Sequence, residues 1–241
     1  MSIPGFAEWL ETPRGQYLLA WEQRKLDQIV ADIFGYNAMQ IGLPQTDFLR
    51  ANRMPYRLHC CDSAPGVDVR CDAEELPFAS QSIDLVVLPH VLEFAPHPHQ
   101  LLREVERVLV PEGRVVIAGF NPLSLWGLRR AFSGNLGKIP WQGQYLPVSR
   151  LKDWLTLLGC ETHDSAFGCY APPLSSQAWL HRMSFMDALG ERCWPIAGGA
   201  YIIHAVKRVR GMRLIRPQWR TAKRSRKAIA AAPQRKQQET P

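Results

Sequence analysis

The chain has 241 residues, 46% of them hydrophobic and 21% charged, with a formal net charge of +7. Such a length and balance suit one domain of the larger sort with a substantial core, and exclude a wholly disordered chain or a disulfide-stapled mini-protein. The positive charge is local: Lys207 to Lys236 carries 12 Lys or Arg and no acid, whereas residues 1–206 hold 17 basic against 21 acidic side chains and total −4.

SIPGFAEWLETPRG has acids and a proline where a signal peptide needs an apolar core, so no export signal is expected. No apolar stretch approaches the length of a membrane span. Cys60 and Cys61 are adjacent and the other four cysteines scattered, without a C-x-x-C pair. A structural zinc site is therefore not expected, and the cytoplasm is the simplest compartment.

Leu18, Leu19, Glu22, Leu26, Ile29, Val30 and Ile33 recur at helical spacing and stop before Gly35, which predicts one long amphipathic helix with Glu22 in solvent. Tyr36 to Gly42 reads as a first strand, followed by the loop GLPQTDFL. Tyr56 to Cys61 is the next strand. DSAPG, which follows, is too short for the helix that ordinarily joins parallel strands. Val67, Val69 and Cys71 alternate with Asp68, Arg70 and Asp72, a strand ending at an acid before AEELPFAS. Ile83 to Leu88 is a continuous apolar run, as in a strand covered on both faces. His99 to Leu109 returns to helical spacing, is stopped by Pro111 and Gly113, and leads to another buried run, Arg114 to Gly119. This alternation means a βαβ unit in a parallel sheet, with ligands expected at the carboxyl ends of the strands. Beyond it, LSLWGLRRAF is either a mobile flap over an apolar acceptor or a surface helix with Trp126 turned inward. RLKDWLTLLG reads as a helix capped by Ser149 and ended by Gly159. Glu161 to Tyr170 and Ala200 to Val206 read as strands, with a helix around Ala178 to Leu189 between them. The segment from about Arg216 has too few large apolar residues to fold alone.

The run D-A-x-x-L-P-F from Asp72, then S-x-D-L-V, then L-x-E-V-x-R-V-L-x-P-x-G-R-V-V-I, resembles the class I S-adenosylmethionine-dependent methyltransferases, specifically the type 11 group that includes quinone-biosynthesis C-methyltransferases. The resemblance implies a three-layer αβα sandwich around a seven-stranded, mostly parallel sheet with the last strand reversed. It also implies an amino-terminal helical lid (1–35) and a methyltransferase domain (36–210); it does not extend beyond Lys207, and the run of basic residues marks a separate tail (211–241). The family usually has acid-x-Gly-x-Gly after the first strand; here Gln40-Ile41-Gly42-Leu43-Pro44 keeps one glycine, replaces the acid with an amide and loses a backbone donor at Pro44.

By resemblance, S-adenosylmethionine is the cofactor. Gln40 and Gly42 would meet its methionine part, and Asp72 with the Ala73 amide its adenine. Asp62 would meet the ribose or serve only as a turn former. Leu88 and Pro89 would line the site. His90 and Glu93 follow the fourth strand, where methyl group and acceptor should meet; His90 is a candidate base or a pocket-lining residue. Glu93, Asn121 and Trp126 are candidates on the acceptor side. Asn121-Pro122 is only half of an N-P-P-Y element and follows the wrong strand for base methylation. His97 and His99 have no metal-helix spacing, and no metal is expected. The expected function is methyl transfer to a small-molecule acceptor. Two alternatives are a methyltransferase-fold binding protein without catalysis, and a nucleic-acid or ribosome-associated factor. The basic tail is expected to give weak, salt-sensitive contact with nucleic acid.

Overall fold

A computed structural model describes residues 5–62, 66–133, 140–173, 180, 182–183 and 185–208, all within the compact unit Met1–Val209. The basic tail expected at 211–241 lies outside the described residues. In chain order the elements are α1 (Phe6–Leu10), α2 (Pro13–Ala31), β1 (Asn37–Ile41), β2 (Tyr56–Cys61), β3 (Val69–Arg70), β4 (Ile83–Pro89), α3 (Pro98–Val108), β5 (Leu109–Phe120), α4 (Leu125–Ser133), α5 (Val148–Leu157), β6 (Cys160–Gly168), α6 (Phe185–Cys193) and β7 (Ala200–Lys207).

The seven strands lie in the order β3-β2-β1-β4-β5-β7-β6. Only β7 runs against its neighbours, pairing antiparallel with both β5 and β6. The sheet is buried on both faces, and β4 shows how its sequence produces this. Leu85 and Val87 join the cluster under α1 and α2, with Leu18, Leu26, Val116 and Ala118. Val86 and Leu88 join the opposite cluster, with Leu101 and Val105 of α3 and Leu151 and Leu155 of α5. Since side chains alternate along a strand, an unbroken apolar run serves two cores at once.

α2 starts at Thr12, whose hydroxyl accepts from the Gly15 amide at 3.3 Å, with Pro13 in the first turn. Gly15 is fixed by contact: a Cβ there would lie 2.3 Å from the Trp9 carbonyl oxygen, so only glycine lets α2 cross α1 this closely. Several expected boundaries shift. β3 shrinks to two residues because the Asp68 carboxylate takes the His59 amide at 2.8 Å, putting a side chain where a ladder bond would form. α5 is preceded by Pro147 and has no side-chain cap; Ser149 sits inside the helix rather than before it. The helix expected at Ala178 to Leu189 is described at Phe185–Cys193, and residues 174–179, 181 and 184 lie outside the description. α4 is a helix with Trp126 fully buried, as in the surface-helix reading. Among the described residues, no helix is long and apolar enough to cross a membrane.

Candidate functional site

Strand order reverses between β1 and β4, which are neighbours at the centre of the sheet. In open α/β sheets that switch point is where the carboxyl ends leave a crevice for ligands. Here β1 delivers Gly42 and β4 delivers His90. Gly42 has φ 82°, a left-handed turn that suits glycine, and its amide donates to the Cys60 carbonyl at 2.9 Å. His90 also has a left-handed backbone, φ 54°, a conformation that costs a non-glycine residue about 1 kcal/mol or more and collects at functional sites.

That turn sends the His90 side chain under α2. Its Nε2 lies 2.6 Å from Glu22 Oε1 and its Nδ1 lies 2.9 Å from Glu93 Oε2. All three side chains are enclosed: Glu22 and His90 are 0% exposed and Glu93 is 3% exposed. The other Glu93 oxygen accepts from the Phe120 amide at the end of β5. Phe120 packs on the imidazole with ring centres 4.4 Å apart, and Phe6 of α1 covers it at 5.4 Å. Burial alone would lower the His90 pKa; the carboxylates on either side outweigh that and raise it to about 10. Burial raises the Glu93 pKa above the usual carboxylate value. Two carboxyl groups thus share one imidazole, and among the described residues Glu22 Oε2 is buried with no hydrogen-bond partner. Among the described residues Trp21 Nε1 and Tyr145 Oη are likewise buried and unpartnered. Buried polar groups are ordinarily satisfied, so an unsatisfied Glu22 oxygen at the switch point suits a ligand.

Glu22 corrects an expectation. It is not in solvent, and the sequence carried the signal: Glu22 stands four residues from both Leu18 and Leu26, on the buried stripe of α2. Gln40 is buried beside this site, but its amide is engaged locally. Nε2 donates toward the carbonyls of Gly42, Leu43 and Thr46 at 2.8 to 3.1 Å, and Oε1 accepts from the Phe48 amide at 2.9 Å. The amide thereby folds GLPQTDFL onto itself, with Leu43, Phe48 and Leu49 in the core. Asp62 is exposed at the end of β2, with Oδ1 3.6 Å from the Cys61 sulfur. Asp72 is exposed, and one of its oxygens accepts from the Glu74 amide at 2.9 Å; Ala73 is buried. Leu88 and Pro89 are buried at the end of β4. Asn121 is a loop tie: Nδ2 donates to the Ile196 and Gly198 carbonyls, and Oδ1 accepts from the Leu123 amide. Trp126 donates from Nε1 to the Ala171 carbonyl at 2.9 Å.

Beyond β5 lies a cleft of about 650 Å³ between α4 and α6, lined mostly by apolar side chains, among them Leu125, Leu128, Tyr170, Met186, Leu189 and Trp194. Leu128 is 53% and Trp194 65% exposed. No sequence signal located this cleft as a whole, because its walls come from segments some sixty residues apart in the chain.

A family of methyltransferase domains, type 11, matches residues 44–117. The chain is 32% identical over 161 residues to the uncharacterized protein YafS of Escherichia coli (strain K12), a match covering 66% of this chain and 67% of that one. It is 35% identical over 85 residues to the ubiquinone/menaquinone biosynthesis C-methyltransferase UbiE of Bartonella tribocorum, covering 34% of this chain and 33% of that one. In fold it is similar to a S-adenosylmethionine-dependent methyltransferase from Thermotoga maritima, with TM-score 0.58, 15% identity, and coverage of 80% of this chain and 95% of that one. The matched segment runs from the loop after β1 into β5, and with the seven-stranded order found here the chain belongs to the class I S-adenosylmethionine-dependent methyltransferases of type 11.

Proposed function

We propose that the protein transfers a methyl group from S-adenosylmethionine to an apolar small molecule. The observation that carries this reading is the buried Glu22-His90-Glu93 cluster at the switch point, two carboxyl groups to one imidazole, with a Glu22 oxygen unpartnered among the described residues. A buried uncompensated charge is costly. S-adenosylmethionine, with an ammonium, a sulfonium and one carboxylate, has the one net positive charge that would balance it. The Gly42 turn would admit the methionine part, with Gln40 holding the loop shape rather than the ligand. Asp62 would take the ribose, Asp72 and the Ala73 amide the adenine, and Leu88 and Pro89 would form the floor. When bound, the cofactor supplies an electrophilic methyl group.

His90 is better suited to positioning than to proton removal. Raised to about 10, its pKa leaves the ring protonated at neutral pH, with both nitrogens donating and no lone pair for a substrate proton. Its work is to fix the two carboxylates. Enclosure by Phe6 and Phe120 keeps water from the crevice, which a displacement at carbon requires. Glu93, Asn121 and Trp126 would act on the acceptor side by shaping the wall between crevice and cleft. The apolar cleft between α4 and α6 supports an uncharged acceptor, since charged groups would gain nothing from its lining.

Calorimetry with S-adenosylmethionine and S-adenosylhomocysteine tests the reading. The sulfonium should bind about tenfold or more tightly than the neutral thioether, equivalent to about 1.4 kcal/mol or more. Glu22→Gln should erase most of that preference. Absence of binding by both compounds at millimolar concentration would leave a methyltransferase fold without the chemistry.

A further inference from the structure

At the far edge of the sheet, β6 pairs with β7 in a register that slips between Thr162 and Asp164. His163 is the extra residue, and Asp164 then stands opposite His204 of β7. Such bulges turn a side chain out of its alternation and often mark built sites. The result is a cluster of three ligand types: one ligand atom each from His163, Asp164 and His204 lie within 4.8 Å of one another. His163 Nδ1 and Asp164 Oδ2 are 2.7 Å apart, and both side chains are open to solvent. His204 is different. It is 6% exposed, and its Nε2 is buried with no hydrogen-bond partner among the described residues.

We infer that His163, Asp164 and His204 form a binding site for a late first-row divalent cation of the zinc type, clasping the edge strand to β7. Two imidazoles and one carboxylate suit zinc and its neighbours, whereas magnesium and calcium prefer oxygen alone. Burial, reinforced by the nearby Arg114 and His163 and opposed by Asp164, lowers the His204 pKa to about 4. The Arg114 charge opposes a cation, so the clasp should be weaker than a closed structural zinc site. An ion here would join the outermost strand to its neighbour through side chains, on a strand whose other edge has no partner among the described residues.

The full chain, freed of any affinity tag and of metal by chelation, would be titrated with Zn2+ alone. One ion per chain should bind, with a melting temperature raised by roughly 5 °C when the ion is well above its dissociation constant. Mg2+ at the same concentration should do nothing. His163→Ala, an exposed substitution that should leave the metal-free melting temperature unchanged, should weaken binding about tenfold or more. Asp164→Asn should act in the same direction. With Co2+ in place of Zn2+, a visible spectrum of nitrogen and oxygen ligation is expected. Strong thiolate bands would put the ion on a cysteine and overturn the assignment, as would unchanged affinity in His163→Ala or absence of Zn2+ binding.

Discussion

The switch point between β1 and β4 and the cleft beyond β5 lie off the same end of the sheet and are opposite in character. One encloses three ionisable side chains with almost no exposure; the other leaves leucines and a tryptophan half in water. Charge in the first region survives because the His90 ring meets a carboxyl group at each nitrogen. The apolar side chains of the second add little to folding where they stand; on the function proposed above, they take the acceptor. The two regions share a wall: Phe120 packs on His90 on one side and stacks with Trp126 at 6.0 Å on the other, and Pro122 begins the cleft two residues later. The charged cluster and the apolar cleft are thus separated by the aromatic side chains of Phe120 and Trp126.

The sharpest way to break this contrast is at Glu22. Glu22→Ala leaves one N–H of the buried His90 ring without its acceptor and opens a cavity beside it, and should cost about 3 kcal/mol or more. A melting temperature lower by roughly 10 °C is expected. An unchanged melting temperature would mean that α2 is held over the crevice by apolar packing alone. Glu22→Gln keeps a hydrogen-bond partner and should cost less.

Titration gives a second, smaller effect. The folded His90 pKa of about 10 lies above its ordinary 6.5, so its stabilisation is complete below about 6.5 and is lost as pH rises through about 10. Glu93, also raised, contributes in the same direction, its share being lost as pH rises above the ordinary carboxylate range. Chemical denaturation between pH 7 and 10 should therefore show stability falling by on the order of a few kcal/mol. In Glu22→Gln the slope should flatten; an equal slope in both proteins would separate it from this cluster.

The smallest effect on folding should come from the cleft. Leu128 is half exposed, so Leu128→Asp should change stability by no more than about 0.5 kcal/mol. Binding of an apolar fluorescent dye should nonetheless weaken about tenfold, because one charge spoils a largely apolar lining. Unchanged dye binding would place the apolar site elsewhere.

The fold was largely legible in the chain. Ile83 to Leu88 announced a strand buried on both faces because a period of two cannot expose either side of an unbroken apolar run. His99 to Leu109 announced a helix because its apolar positions fall on one stripe. The site was legible in part. His90 and Glu93 stand three residues apart after β4 and were found by place. Glu22 was on the apolar stripe of α2, but an acid there is ambiguous until a partner is known, and its partner lies 68 positions away.

The amino-acid sequence by itself determined the elements, their order and the strand ends that carry polar residues, because periodicity and turn chemistry act over a few neighbouring residues. Tertiary structure alone decided that Gln40 would spend its amide on its own loop, that an imidazolium would sit between two carboxylates, and that a one-residue bulge would bring His163 and Asp164 to His204. Each of these depends on distances between segments remote in the chain and on the exclusion of water from the space between them. Hydrogen bonds and charge pairs take their strength from that exclusion, and it exists only once the layers have closed.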